Sequence, residues 1–200
     1  MARRRARRRY KQLVTWLFAV AFIIGLIALV TASMNRGYDT LVKSTHTLRH
    51  YATVTEACEK YDVPPSLAYA IIRTESGFDP KAQSRVDARG LMQVTESGLS
   101  WIHQRSNDFD DVTVDKLYDP DINIRCGVYL LSLLRQEFDD DATVAAAYNA
   151  GIGKVGEWLE NEAYSSDGKT LHTIPYDETR SYVKRVATSR KIYQKYYHLA

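Results

Sequence analysis

Only two cysteines, Cys58 and Cys126, and five histidines occur among the 200 residues. There is no Cys-x-x-Cys pair and no Cys/His cluster, so neither a redox dithiol nor a zinc-type ligand set is implied, and no metal or other cofactor is expected. None of the 24 acidic residues precedes the long apolar run near the N-terminus, and no internal repeat or low-complexity stretch follows it. Few segments have the period-two alternation of a half-buried strand, which argues against a β-rich fold. What is present is one 22-residue stretch without charge, Leu13 to Met34, followed by a chain of mixed composition long enough to bury a core.

About 20 apolar residues in a helix cross a hydrocarbon core, so Leu13 to Met34 is long enough. Arg3, Arg4, Arg5, Arg7, Arg8, Arg9 and Lys11 stand directly before it, and such a block tends to stay on the cytoplasmic side. The expectation is a basic cytoplasmic segment over residues 1–12, a transmembrane signal anchor over 13–34, a stalk or extra helix over 35–50, and a domain over 51–200 facing outward. A cleaved signal peptide competes with the anchor, since Val30-Thr31-Ala32 offers small residues to a peptidase. The span exceeds the usual ~7–15-residue apolar region of such a leader, which favours retention. Nucleic acid is not expected as a partner, because the position of the arginine block against an apolar run already has a topological cause. The net charge of +3 comes from that block: seven of the 27 basic residues lie in it, leaving 20 against 24 acidic ones. No strongly basic binding face is indicated on the domain.

From Val54 onward the apolar spacing is helical. Thr55 is placed to cap a helix running to Tyr61, and Pro64-Pro65 sit where proline is tolerated, in the first turn of the next. Thr95 to Arg105 follows, then a helix from Asp119-Pro120 with Ile124, Val128, Leu131 and Leu134 on one stripe. Asp139-Asp140-Asp141 lacks the spaced ligands and glycine of a calcium loop and reads as a helix junction with an N-cap. Thr143 to Ala150 is a small-residue helix closed by Gly151. A Trp158 helix, a polar loop over Ser165 to Lys169, and an amphipathic helix over Thr179 to Tyr197 complete the chain. The fold class expected is all-α or nearly so.

Glu75 is the chemically informative residue. Stepping back by four and three reaches Ile71 and Ile72, then Leu67 and Ala68, so the carboxyl continues an apolar stripe. Burial raises a carboxyl's pKa and lets it hold a proton near neutral pH for delivery to a leaving group. The alternative is a glutamate at a helix end that turns into water.

Four strings follow in order: Glu75-Ser76-Gly77-Phe78-Asp79-Pro80 with Ser84, Gly90-Leu91-Met92-Gln93, Ala145-Ala-Ala-Tyr-Asn-Ala-Gly151, and Ile174-Pro-Tyr-Asp-Glu-Thr-Arg-Ser-Tyr182. Together they resemble the catalytic domain of the soluble lytic transglycosylase family, which is related in fold to goose-type lysozyme. The resemblance runs from about Tyr51 to the C-terminus. It implies a lysozyme-like helical fold and cleavage of the β-1,4 bond between MurNAc and GlcNAc in peptidoglycan. It also implies that Glu75 is the single acid and base, with the substrate's N-acetyl group assisting and its 6-hydroxyl closing a 1,6-anhydro ring. Glu178 then lines the cleft, Ser84 meets the N-acetyl neighbourhood and Gln93 reaches the sugar. Tyr148 bonds near the acid, Asn149 holds adjacent backbone, and Tyr182 shares Glu178's face one turn on. A hydrolytic muramidase on the same fold stands as the neighbouring reading. The chain departs from the family pattern at Asp87, where a small residue, commonly glycine, is usual, and at Thr95-Glu96, where Met-Pro is usual.

Cys58 and Cys126 fall on separate predicted helices of an exported domain, which favours a disulfide between them. Two buried free thiols acting as small hydrophobes is the other reading.

Overall fold

The computed structural model describes residues 2–200; Met1 lies outside the description, as do the side chains of residues 2–14 and 19, including the basic side chains expected on the cytoplasmic side. Two compact units result, Met1–Thr45 and His46–Ala200.

The first unit is a single helix, α1 (Ala2–Thr45). Its Thr15–Thr45 portion is long and apolar enough to cross a membrane. The stretch expected to be a stalk is helical through Thr45, where the helix stops. Residues 46–50 then form a non-helical link. His46 and His50 are four apart within it, so their spacing does not place them on one helical face.

The second unit contains α2 (Tyr51–Tyr61), α3 (Pro65–Glu75), α4 (Glu96–His103), α5 (Pro120–Glu137), α6 (Asp141–Ala150), α7 (Ile152–Leu159) and α8 (Asp177–Tyr197). Two short 3₁₀ turns, Asn107–Phe109 and Val114–Tyr118, lie between α4 and α5. Among the described residues no strand ladder forms; only isolated bridges link Gln83 to Arg89 and Arg89 to Val94. The fold is all-α.

Local chemistry explains most boundaries. Thr95 caps α4 by accepting from the Gly98 amide at 3.1 Å. Asp119 accepts from the amides of Asp121 and Ile122 at the start of α5. Asp140 accepts from those of Ala142 and Thr143 at the start of α6. Each satisfies amides that the first helical turn leaves unpaired. α2 begins at Tyr51, four residues before the expected cap: His50 adopts a left-handed conformation with φ 55° and no side-chain cap bond forms, so Thr55 lies inside the helix.

α3 is buried on every side from Ser66 to Ile72, as a central helix must be. It packs against α2 and α8, while α5 packs against α2 and α6 against α7 and α8. The link from α3 to α4 crosses the buried face of α5, and one polar residue holds it there. Asn123, fully buried, accepts from the Met92 amide at 2.7 Å and donates to the carbonyls of Arg89 and Leu117, each at 2.8 Å. Gly90, with φ +76°, lies so close that a Cβ would stand 2.3 Å from the Leu117 carbonyl oxygen and 2.4 Å from Asn123 Nδ2.

The expected disulfide is not formed. Cys58 on α2 and Cys126 on α5 are both free and buried, although their helices do pack together. Their thiols serve as small apolar groups in the core, and burial pushes both up to about 12.

Truncating Asn123 to alanine strands the Met92 amide and the Leu117 carbonyl, each costing about 1–3 kcal/mol, while the Arg89 carbonyl keeps the Val94 amide. Asn123→Ala is expected to lose roughly 3 kcal/mol or more of stability in urea unfolding monitored by circular dichroism. In the unreduced wild type, two thiols should react with a disulfide reagent, and only after denaturation.

Candidate active site

Glu75 is the last residue of α3, where the chain leaves a fully buried helix and turns through Ser76 and Gly77. One carboxylate oxygen, Oε1, accepts from the Tyr182 hydroxyl of α8 at 2.6 Å. Burial raises the Glu75 carboxyl from an ordinary 4.5 to about 7, while the Tyr182 hydrogen bond and the Arg185 charge pull in the opposite direction. Desolvation therefore wins. Tyr182, itself 2 % exposed, and Tyr148 both have hydroxyls pushed well above the usual range, by burial first and by the negative charge of Glu75 second. Neither phenol becomes an anion near neutral pH, so each acts as a hydrogen-bond donor or acceptor rather than as a base.

The turn carrying Leu91, Met92 and Gln93 is fixed against the acid from three directions. Ser76, next to Glu75, donates through Oγ to the Leu91 carbonyl at 2.8 Å. Tyr148 on α6 donates to the Met92 carbonyl at 2.8 Å. Asn123 holds the intervening amide of Met92. Gln93 has φ 49°, a left-handed conformation, and its Nε2 donates to the carbonyls of Ala82 and Gly90 at 3.0 and 2.9 Å. Its amide nitrogen is thus spent on the turn, and the carbonyl oxygen is the end left to meet a ligand.

The remaining residues singled out in the sequence are less tightly gathered. Ser84 Oγ accepts from the amides of Val86 and Ala88 at 3.3 and 3.1 Å, which closes its own loop and leaves the hydroxyl proton unused by the protein. Asn149 follows Tyr148 on α6, half-buried, but its side chain makes no hydrogen bond among the described residues, so it does not hold the adjacent backbone as expected. Glu178 is exposed in the first turn of α8, one turn before Tyr182. Asp87, where glycine is usual, has φ 60° and forms an ion pair with Arg89, which also reaches Asp115. The left-handed backbone explains why glycine suits the position, and aspartate tolerates that conformation better than most residues.

Beyond Tyr148 a cavity of about 200 Å³ opens between α4, α5 and the α6–α7 junction, lined by Thr95, Ser97, Trp101, Gly151 and Ile152. The unusual Thr95 stands on this wall. Sequence reasoning missed three contributors: Ser76, Asn123 and Arg185. Arg185 follows Tyr182 by three residues, so helical spacing carried a signal for it; Asn123 sits within an apolar stripe that carried none.

A family model of the transglycosylase SLT domain matches residues 52–171. The chain belongs to this family. It is 37 % identical over 138 residues to the soluble lytic murein transglycosylase of Escherichia coli K12, an alignment taking in 68 % of this chain and 21 % of that protein. It is 30 % identical over 192 residues to the membrane-bound lytic murein transglycosylase C of Cronobacter sakazakii, covering 86 % and 53 %. Among solved structures, the 70-kDa soluble lytic transglycosylase from E. coli superimposes with a TM-score of 0.66 at 29 % identity, over 83 % of this chain and 29 % of that one. An inactive mutant of the lytic transglycosylase Slt from Pseudomonas aeruginosa gives 0.64 at 32 %, over 75 % and 24 %. The chain thus spans about a fifth to a half of the length of these relatives. Tyr182 and Glu178 lie past the last residue matched by the family model, yet Tyr182 makes the hydrogen bond to Glu75.

Removing the hydroxyl in Tyr182→Phe deletes an interaction that favours the charged carboxylate, so the Glu75 midpoint should rise above about 7, as read by carbon-13 NMR titration. A linked effect appears in stability. The folded state holds the Glu75 proton more tightly than the unfolded chain between about 4.5 and 7. Burial of the carboxyl therefore costs progressively more as pH rises through that window and levels off above it. The melting temperature of Glu75→Gln relative to wild type should increase from pH 4.5 to 7 and then stay constant.

Proposed function

We propose that this chain is a membrane-anchored peptidoglycan lytic transglycosylase in which Glu75 is the single general acid and base. The observation that carries the reading is a carboxyl at the end of buried α3, held by the Tyr182 hydroxyl at 2.6 Å and raised by burial to about 7. An acid poised near the working pH maximises proton delivery to a leaving group. The relatives named lytic murein transglycosylases support peptidoglycan as the substrate.

The reaction proceeds in two proton transfers. Protonated Glu75 gives its proton to the glycosidic oxygen between MurNAc and GlcNAc as the bond to the anomeric carbon breaks. The substrate's N-acetyl oxygen meets that carbon, which replaces the nucleophilic carboxylate of two-carboxylate glycosidases. Glu75, now ionised, takes the proton of the 6-hydroxyl as its oxygen closes the 1,6-anhydro ring and displaces the N-acetyl group. Water is not consumed and Glu75 ends protonated.

Tyr182 holds the carboxyl in place and steadies its ionised form between the two steps. Gln93, through its carbonyl oxygen, and Asn149 line the sugar path, with Tyr148 fixing the turn that carries Gln93. Ser84 donates toward the N-acetyl neighbourhood, and exposed Glu178 orders the cleft entrance. The helix α1 anchors the enzyme over residues 13–34, with residues 1–12 cytoplasmic and residues 51–200 outside the cell at the wall. Residues 35–50 join the two.

Glu75→Gln keeps the shape of the side chain but cannot donate the proton, and general acid catalysis typically supplies about 10²–10⁴-fold. Digestion of purified peptidoglycan should fall by at least that factor, and Glu178→Gln should be milder. Mass spectrometry of wild-type products should give 1,6-anhydro-MurNAc ends; reducing MurNAc ends would assign a hydrolytic muramidase instead.

A further inference from the structure

A second groove of about 480 Å³ runs between the last turn of α3 and the middle of α8. Its charged lining is Arg73, Lys184 and Arg185, and no aspartate or glutamate lines it. The unit that carries it has more acidic than basic residues overall, so the concentration of positive charge is local. Seven cations elsewhere in the domain, Arg89, Arg135, Arg180, Arg190, Lys60, Lys116 and Lys154, each form an ion pair, so what sets the groove apart is three cations on one lining with no acid among them. Arg73, Lys184 and Arg185 form none among the described residues.

Two polar groups sharpen the picture. Arg73 Nε is buried without a hydrogen-bond partner, which costs free energy unless something supplies an acceptor. Ser189, only 9 % exposed, also lines the groove, and its hydroxyl makes no hydrogen bond within the described residues. The hydroxyls of Thr74 and Thr188 already donate to the Ala70 and Lys184 carbonyls. The free donors in the groove are therefore the cations and Ser189. A ligand with several acceptor oxygens and negative charge matches them, and guanidinium groups bind such oxygens in a fixed fork.

We propose that this groove is an oxyanion-binding site that takes a carboxylate or phosphate group between Arg73 of α3 and Lys184 and Arg185 of α8. It adjoins the reaction centre through Arg185, which stands over the Tyr182 ring at 5.9 Å. Two sources present this chemistry: free phosphate, and the carboxylate of a peptide attached to muramic acid. The second source rests on the proposed reaction, whereas the site itself does not.

The test is isothermal titration of the full chain in uncharged detergent micelles with inorganic phosphate, muramyl dipeptide and its fully amidated form. Saturable one-to-one binding is expected, and the double variant Arg73→Gln/Lys184→Gln should weaken it by about tenfold or more, the loss of charge-assisted hydrogen bonds. Lys184 is exposed, so Lys184→Gln alone leaves the fold undisturbed and should weaken binding measurably even where the double variant does not fold. Binding of muramyl dipeptide but not of its amidated form, displaced by phosphate, assigns the site to a peptide carboxylate. Phosphate binding alone upholds the site with a free anion as its ligand. No saturable binding of either probe, or affinity unchanged in Lys184→Gln, overturns the proposal. Glu75→Gln removes a negative charge that acts on Arg185 and should bind at least as tightly as the wild type, so a failure of the proposed reaction is distinguishable from a failure of this site.

Discussion

The 2.6 Å contact between Glu75 and Tyr182 is the interaction around which the domain is arranged. It joins the end of α3 to α8 across 107 residues of chain. Because Glu75 closes a helix, its carboxylate also meets the negative end of the helix dipole, which adds to burial in disfavouring charge. A buried acid without a donor would be costly; a buried acid with two or three donors would ionise too readily. One hydroxyl and one more distant guanidinium leave the carboxyl close to neutral pH.

That balance requires walls that do not move. The turn over Gly90–Gln93 contains a left-handed Gln93 and a glycine pressed against Asn123, so its conformation is not one the local sequence would hold alone. Ser76, Asn123 and Tyr148 fix it from α3, α5 and α6, and each spends a side-chain hydrogen bond on backbone rather than on substrate. Gly127 completes the arrangement, since a Cβ there would stand 2.4 Å from Met92 Sδ. Met92, buried against this bare helix surface, occupies space the missing side chain leaves.

The charge pattern has a similar division of labour. Arg89 gathers Asp87 and Asp115 and lies over the Tyr118 ring, which holds the loop after Ser84 against the 3₁₀ turn before α5. Arg190 and Arg135 both pair with Asp141, tying α8 and α5 to the start of α6. These cations are structural. Arg73, Lys184 and Arg185, by contrast, line one groove between α3 and α8 with no acidic side chain on it.

Apolar spacing and capping chemistry determined the helices, because period and caps are local: α4, α5 and α6 begin where Thr95, Asp119 and Asp140 can accept from first-turn amides. They determined too that Glu75 ends an apolar stripe. The early start of α2 was not legible, since His50 takes a left-handed conformation without a side-chain cap. Nor was the state of the cysteines, because packing two helices together does not bring two sulfurs to bonding distance. Only the tertiary structure decided which polar residues meet. Asn123 lies on an apolar stripe that does not mark it, and the spacing that puts Arg185 one turn after Tyr182 does not say what it meets, until α5 comes under the Leu91–Gln93 turn and α8 comes beside α3. Hydrogen bonds and field effects act through space over a few ångströms, whereas the chain separates these partners by 31 to 110 residues, and that distance is closed by packing alone.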